Sequence, residues 1–144
     1  MKSKLLFGFA LVLLFLAVLP LFRASGGSID WHSRSQSAFD EASETDQQVL
    51  VFLYTDWCTY CRQMDQTTFR DRSVLNQMAD DYVWLRLNAE TDPDGVKMQR
   101  KFFVSGFPTL LILDSNGREI DRLQGFIPPS RFAREVRERI RPRA

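Results

Sequence analysis

The stretch VLVFLYTDWCTYC, residues 49–61, decides the fold and contains both cysteines of this 144-residue chain. Val49 to Tyr54 is an uninterrupted apolar run, which is typical of a central strand covered on both faces. Cys58 and Cys61 follow, three positions apart, where such a strand would pass into a helix. Unpaired backbone N–H groups and the helix dipole at that point favour a thiolate over a thiol. The stretch therefore predicts a cysteine that attacks disulfides.

The cysteine pair has three possible interpretations. A structural disulfide across two intervening residues would close too small a loop to remove much entropy from the unfolded chain. A metal site usually needs four ligands, and the chain has no third cysteine and only one histidine, His32. We therefore favour redox chemistry, with no metal and no cofactor. His32 lies far upstream, and we expect it on the surface or at a helix start rather than in the catalytic site.

Composition and charge are those of one ordinary globular domain with an appendage. Hydrophobic residues make up 44% of the chain, which is enough for a core. Setting aside Lys2, Lys4 and Arg23 leaves 16 of the 19 basic residues against 18 acidic ones, a net charge of −2. Nothing in this balance indicates a nucleic-acid partner. The C-terminal arginines alternate with Glu135 and Glu138, a pattern typical of a solvated helix face, with contact to anionic lipid as the alternative.

The N-terminus, residues 1–23, is predicted to lie outside the globular fold. Lys2 and Lys4 precede an uncharged run over residues 5–22, which would span about 27 Å as a helix. We expect an uncleaved signal-anchor, a transmembrane helix preceding the domain, with a cleaved signal peptide as the alternative.

The charge pattern of this segment predicts where the protein resides. Positive residues tend to stay on the cytoplasmic side, so the cysteine domain would lie across the membrane. We expect a single-pass protein of the cytoplasmic (inner) membrane whose catalytic domain faces the periplasm or exterior; the alternative is a soluble periplasmic protein after cleavage. Residues 24–28 are predicted to be a linker, and residues 29–144 the domain.

The remaining hydrophobic pattern predicts an α/β architecture. Strands are expected near residues 49–54, 83–87, 110–113 and 119–123, and Asn116-Gly117 favours a hairpin between the last two. Trp31, Ala38 and Ala42 indicate a first helix. Further helices are expected after Cys58, after a capping Asp71, from Asp92-Pro93 and from Pro128-Pro129. This order predicts a central mixed sheet with helices on both faces.

The chain resembles the thioredoxin-like superfamily over roughly residues 29–141. The matching residues are Thr55-Asp56-Trp57-Cys58, Cys61 followed by Arg62, and Gly106-Phe107-Pro108-Thr109 before an apolar strand. Within that superfamily it is most similar to the C-terminal periplasmic domain of thiol:disulfide interchange proteins. The additional similarity lies in residues 67–71 and in Gly125-Phe126.

This resemblance implies the role of each residue in the site. Cys58 would attack a partner's disulfide, and Cys61 would resolve the mixed disulfide by forming the redox-active Cys58–Cys61 bridge. Trp57 would cover one side of the attacking sulfur. Pro108 would be a cis proline packed against the dithiol, which would leave the backbone of Phe107 available to an extended substrate segment.

One position departs from the family pattern. Many members place a buried acid six residues before the first cysteine, and here that residue is Phe52. The interchange-protein relatives have a second acid seven residues after the first cysteine, where this chain has Asp65. We expect Asp65 to handle the proton of the resolving thiol, with a solvated helix carboxylate as the alternative. Asp56 could instead oppose thiolate formation by its like charge.

The resulting functional prediction is a membrane-tethered extracytoplasmic thiol–disulfide oxidoreductase that reduces protein disulfides. One apolar segment without a cysteine cannot relay electrons, so a separate membrane or periplasmic donor is expected to regenerate the dithiol. Two alternatives stay open: a disulfide oxidase or isomerase of the same fold, and a non-catalytic module that uses the thiols for metal delivery or assembly.

Overall fold

The computed structural model describes residues 27–140, which form a five-stranded sheet with helices packed on both faces. The strands are β1 (Trp31–His32), β2 (Val49–Tyr54), β3 (Val83–Asn88), β4 (Thr109–Leu113) and β5 (Glu119–Gln124). The helices are α1 (Ser35–Thr45), α2 (Thr59–Gln66), α3 (Arg72–Met78), α4 (Pro93–Lys101) and α5 (Pro129–Ile140), with a 3₁₀ turn at Thr68–Arg70. The predicted transmembrane segment, residues 1–23, lies outside the described residues.

The sheet is mixed, as predicted, with strand order β1-β3-β2-β4-β5. β3 is parallel to both β1 and β2, whereas β4 is antiparallel to β2 and β5 is antiparallel to β4. β2 lies at the centre, and all its residues except Tyr54 are buried. This burial on both faces explains why its sequence shows no polar alternation.

Alternate residues of β2 feed two separate apolar clusters. Leu50 and Phe52 face a cluster built with residues of α2, α3 and α5. Val49, Val51 and Leu53 face the other cluster, which is closed by α1 and α4. Two layers of helices therefore hold the sheet from opposite sides, and the C-terminal end of β2 is fixed where the cysteines begin.

The segment around Trp31 differs from the sequence prediction. Trp31 and His32 form a short edge strand paired with Trp84 and Leu85 of β3, and the helix begins only at Ser35. Trp31 packs in the cluster that contains Phe52, whereas Ala38 lies in the cluster on the opposite face. Residues that the pattern assigned to one helix face therefore pack on opposite sides of the sheet, which a single helix cannot do.

Several local predictions are confirmed. The Asp71 side chain caps α3 by accepting from the backbone N–H groups of Ser73 and Val74. Gly117 has φ +72°, as the hairpin turn requires. Asp92 precedes α4 as expected, but its carboxylate accepts from the backbone N–H of Asn88 instead of capping the helix.

The exposed side of α5 confirms the expectation for the C-terminal arginines. Arg131 pairs with Glu135, Arg134 with Glu138, and Arg137 and Arg139 reach Asp81 and Asp121. Across residues 27–140, no helix combines the length and the hydropathy that a membrane span requires.

Candidate active site

Cys58 is the residue that starts the helix after β2. α2 begins at Thr59, and Cys58 occupies the N-cap position with extended backbone angles. Its Sγ accepts a hydrogen bond from the backbone N–H of Cys61 at 3.1 Å. Because this N–H would otherwise be unpaired at the helix start, it stabilises negative charge on the sulfur of the reduced protein. The structure therefore provides a local cause for an easily ionised thiol.

Cys58 and Cys61 form a disulfide, with their Cα atoms 5.3 Å apart. Cys58 is 4% exposed and Cys61 is 1% exposed. The first cysteine is thus the more accessible of the two, but it is more enclosed than the sequence led us to expect. The cause is its position in the apolar cluster, against which Phe107 and Phe126 also pack.

The loop before β4 carries the predicted proline. The Phe107–Pro108 peptide bond is cis, the conformation that the resemblance implies. The Pro108 carbonyl accepts from Gly125 N–H at 2.8 Å, and the Thr109 hydroxyl donates to the Gly106 carbonyl at 2.7 Å. Across residues 27–140, no backbone–backbone hydrogen bond of the loops and turns involves Phe107.

Trp57 lies beside the disulfide with 64% of its surface exposed. Its ring meets Phe107 edge to face at 6.2 Å between centroids. Its indole Nε1–H donates to both carboxylate oxygens of Glu90 at 3.1 Å. The sequence did not single out Glu90, which lies 33 residues away along the chain. Trp57 is therefore an exposed aromatic surface rather than a core side chain.

Asp65 is held by an ion pair that the sequence also did not predict. Arg86 of β3 donates to both oxygens of Asp65 at 2.6 Å, and its guanidinium stacks over Tyr54 at 4.5 Å. Both side chains line a cleft of about 610 Å³. Asp65 lies one helical turn beyond Cys61, so the two share a face of α2. Asp65 is therefore neither a buried carboxylate without a partner nor a freely solvated one.

Phe52 lies where many family members have an acid. Its surroundings explain why this chain has an apolar residue there. The ring is completely buried and packs against Phe69 at 4.9 Å and Trp31 at 6.2 Å. An unpaired carboxylate among these rings would lose its hydration without gaining hydrogen bonds. Asp56, the other acid near the cysteines, accepts from the Asn88 side-chain amide at 2.9 Å.

Tyr60 is another residue of the site that the sequence did not single out. It lies between the cysteines, is 60% exposed and faces Phe126 at 6.4 Å. Trp57 with Phe107 and Tyr60 with Phe126 thus place aromatic side chains on both flanks of the disulfide. In the sequence, Tyr60 is marked only by its position between the cysteines, and Phe126 by the Gly125-Phe126 similarity. Among the described residues, His32 lies away from the disulfide and bonds Ser37 and Glu41.

A mixed sheet of this topology, with a Cys-x-x-Cys disulfide at the start of a helix and a cis proline in a neighbouring loop, defines the class of thiol:disulfide oxidoreductases with a thioredoxin fold. A family model described as "Thioredoxin-like domain" matches residues 35–140, and the chain belongs to that family.

Curated relatives agree with this assignment. The chain is 31% identical over 105 residues to the thiol:disulfide interchange protein DsbD of Photorhabdus laumondii, which covers 72% of this chain. It is 33% identical over 95 residues to DsbD of Pseudoalteromonas atlantica, covering 64% of this chain. The matched regions span only 18% and 16% of those two relatives.

Solved structures share the fold. A thioredoxin from Thermus thermophilus superposes with a TM-score of 0.68 at 27% identity, covering 78% of this chain and 87% of that one. The oxidised C-terminal domain of Neisseria meningitidis DsbD superposes with a TM-score of 0.64 at 19% identity, covering 76% of this chain and 99% of that domain. The second similarity concerns the fold alone.

Proposed function

We propose that this protein is a membrane-tethered, extracytoplasmic oxidoreductase that reduces disulfides of other proteins through Cys58 and Cys61. The observation that carries the proposal is the Cys58 Sγ at the helix start, which accepts the Cys61 N–H and is bonded to the second sulfur. The similarity to interchange proteins and to a thioredoxin supports the reducing direction.

The reaction needs only the two sulfurs and a supply of electrons. The Cys58 thiolate attacks one sulfur of the substrate disulfide, and the other substrate sulfur leaves as a thiolate. The Cys61 thiolate then attacks Cys58 Sγ, which closes the bridge and releases the second substrate thiolate. Two electrons pass to the substrate, and two protons complete its thiols. A separate donor must return two electrons to the disulfide before the next cycle.

Residues around the disulfide position the substrate. The backbone of Phe107, which has no backbone–backbone hydrogen bond among residues 27–140, offers strand-like hydrogen bonds to an extended substrate segment, beside the cis Pro108. Trp57, whose ring meets that of Phe107, covers one side of Cys58. Asp65, paired with Arg86 on the Cys61 face of α2, carries or relays the proton of the resolving thiol through the adjoining cleft.

The catalytic proposal is tested with two single-cysteine variants. Cys58→Ser is expected to abolish the acceleration of protein-disulfide reduction by dithiothreitol and to leave only the uncatalysed rate, because the attacking sulfur is lost. Cys61→Ala is expected to accumulate a mixed disulfide between Cys58 and its substrates in cells, because no second thiolate is present to release the bound substrate. Turnover by Cys58→Ser at the wild-type rate would overturn the assignment of the attacking sulfur.

The direction of the reaction is tested by the reduction potential of the Cys58–Cys61 pair. A reductant is expected to have a reduction potential of about −270 mV, whereas an oxidant would have one of about −120 mV. The measurement is equilibration against glutathione with the thiols trapped by alkylation. A value at the oxidising end would replace the reductase proposal with the oxidase.

The tether is tested with the full chain in cells. Residues 5–22 are expected to keep the protein in the membrane fraction after alkaline washing. Leu13→Arg places a charge in the apolar run and is expected to weaken that retention. Release of the unmodified chain as a soluble, shortened protein would support signal cleavage instead.

A further inference from the structure

The exposed side of Trp57 is held in one orientation next to the disulfide. The indole N–H bridges both oxygens of Glu90, and the indole ring and the Phe107 ring meet edge to face. A tryptophan that is 64% exposed leaves a large aromatic surface available to a partner. Trp57 immediately precedes Cys58. A substrate residue that contacts the indole therefore lies next to the attacking sulfur, and hence next to the substrate cysteine that is attacked.

Glu90 is fixed by the segment that follows β3. The Asn88 side-chain carbonyl accepts from the backbone N–H of Glu90 at 2.9 Å and of Thr91 at 3.2 Å. The Asn88 amide donates to Asp56 at 2.9 Å, which ties this segment to the residue before Trp57. The carboxylate of Glu90 therefore has a defined place beside the indole. The backbone that carries Glu90 is already ordered before a substrate binds.

The charge beside Trp57 is negative and lacks an ion-pair partner within the part of the chain that the structure describes. Glu90 accepts from an indole, Asp56 from an amide and Asp92 from a backbone N–H, all of them neutral donors. Across residues 27–140, none of these three carboxylates forms a salt bridge. Arg62 approaches the same segment, but its guanidinium donates to the Asp56 carbonyl and the Thr59 hydroxyl.

We propose that Trp57 and Glu90 together select substrates that carry an arginine or lysine next to the attacked cysteine. An indole face attracts a cation through its quadrupole, and tryptophan is the strongest of the aromatic side chains in this respect. The adjacent Glu90 carboxylate adds charge complementarity, which acts on association rate and on specificity. This inference rests on the proposed thiol–disulfide exchange and names the class of disulfide that it favours.

The test uses two peptide disulfides that differ in one side chain. One carries arginine beside the cysteine, and the other carries citrulline, which has nearly the same shape and no charge. The reduced full-length protein is expected to reduce the arginine peptide with a kcat/KM about threefold to tenfold higher. Because the preference is electrostatic, it should shrink when the salt concentration is raised to about 1 M.

Two variants locate the preference. Glu90→Gln keeps an oxygen that can accept from the indole but removes the charge, and the arginine-to-citrulline ratio of kcat/KM is expected to fall towards one. Asp80→Asn is the matched control, because it removes one negative charge from the segment before β3, at the opposite end of the sheet from the disulfide. Its ratio is expected to equal that of the wild type.

The outcomes separate this inference from the function on which it rests. Equal rates for both peptides, or a ratio that survives in Glu90→Gln, would overturn the cation selection while leaving the oxidoreductase intact. A ratio lowered equally by Asp80→Asn would assign the effect to overall charge and would also overturn it. If neither peptide is reduced, the reductase proposal itself fails, and the inference fails with it.

Discussion

At the scale of single residues, the Asp65–Arg86 pair defines the surroundings of the carboxylate that we propose handles the proton of Cys61. The ion pair leaves 20% of the Asp65 side chain and 33% of the Arg86 side chain exposed. The Asp65 carboxylate lies one helical turn beyond Cys61 on α2 and lines the cleft. Its charge is shared with Arg86, so its effect on the thiol differs from that of a lone buried acid.

Asp65→Asn is expected to slow the resolution of a mixed disulfide on the order of 10²-fold near neutral pH, because a positioned acid–base group is lost. The measurement is the rate of substrate release as a function of pH. Stability should also fall by about 1–3 kcal/mol, since Arg86 loses a charged hydrogen-bond partner. Glu44→Gln, an exposed carboxylate of α1, serves as the control. An unchanged pH profile in Asp65→Asn would discard the proton-handling role.

Sequence spacing identified the residues of the site that lie close together along the chain. Cys58, Cys61 and Trp57 could be placed because a strand that ends before a helix fixes their position within a few residues. Glu90 and Arg86 could not be placed, because their contacts depend on the pairing of β2 with β3. In that register Phe52 lies beside Arg86 and Tyr54 beside Asn88. No local pattern in the sequence specifies this alignment.

At the scale of elements, Gly95 determines how closely α4 approaches the end of β3. A Cβ at this position would lie 2.1 Å from the Asn88 carbonyl oxygen and 2.7 Å from its carbon. Both atoms belong to the backbone, so neither can move aside as a side chain would. The same strand end carries Asn88 and Glu90, and the packing of α4 therefore also affects the surroundings of Trp57.

Gly95→Ala is expected to destabilise the protein by about 1–3 kcal/mol, because the added methyl group forces α4 away from β3. Helix propensity alone predicts the opposite sign, since alanine is favoured over glycine within a helix by about 0.5–1 kcal/mol. Urea unfolding measures the difference. Ser43→Ala at an exposed position of α1 should change stability by less than about 0.5 kcal/mol. A Gly95→Ala variant at least as stable as the wild type would contradict the close approach.

The cap of α3 predicts a pH dependence of stability. The Ser73 hydroxyl donates to the Asp71 carboxylate and, with backbone N–H groups, holds the pKa of Asp71 below its ordinary value of 3.8. Because the folded state lowers this pKa, the stabilisation is complete well above pH 3.8 and is lost as the pH falls through the lower folded value. Asp71→Asn keeps a capping side chain but cannot titrate in this range.

The stability difference between wild type and Asp71→Asn should therefore be constant above about pH 5 and should shrink below that. Urea unfolding at a series of pH values measures it. In a Ser73→Ala background the shrinkage should be smaller, because the hydrogen bond that lowers the pKa most is absent. A difference that grows as the pH falls would have the wrong sign and would reject this account.

Element boundaries followed the sequence where a single burial pattern governs a segment. The apolar run of β2 and the capped start of α3 were predicted because each has one local cause. In the segment from Trp31 to Ala42, the helix that contains Ala38 and Ala42 was predicted correctly, but Trp31 was wrongly assigned to it, because the apolar residues of the segment serve both faces of the sheet. Spacing along the chain does not reveal which face each residue reaches, and only pairing with β3 resolves it.

At the scale of the whole molecule, the disulfide is not what holds the fold together. It joins residues only three positions apart, whereas the sheet is enclosed by two apolar clusters drawn from all five helices. Aromatic rings form the centre of one cluster, where Phe132 stacks on Trp84 at 6.2 Å and meets Phe69 edge to face at 5.6 Å. A redox protein needs this arrangement, because its bridge opens in every cycle.

The Cys58→Ser/Cys61→Ser variant is therefore expected to remain folded and to lose only about 2 kcal/mol relative to the oxidised protein, the entropy that so short a loop removes from the unfolded chain. Phe132→Ala, which leaves the disulfide in place, should cost more, about 3–5 kcal/mol, because it opens a cavity between α5 and the sheet. Urea unfolding of both variants, compared with the oxidised wild type, measures these costs. If the double serine variant were unfolded or were the less stable of the two, the bridge would be structural, and a catalytic cycle that breaks it would unfold the domain.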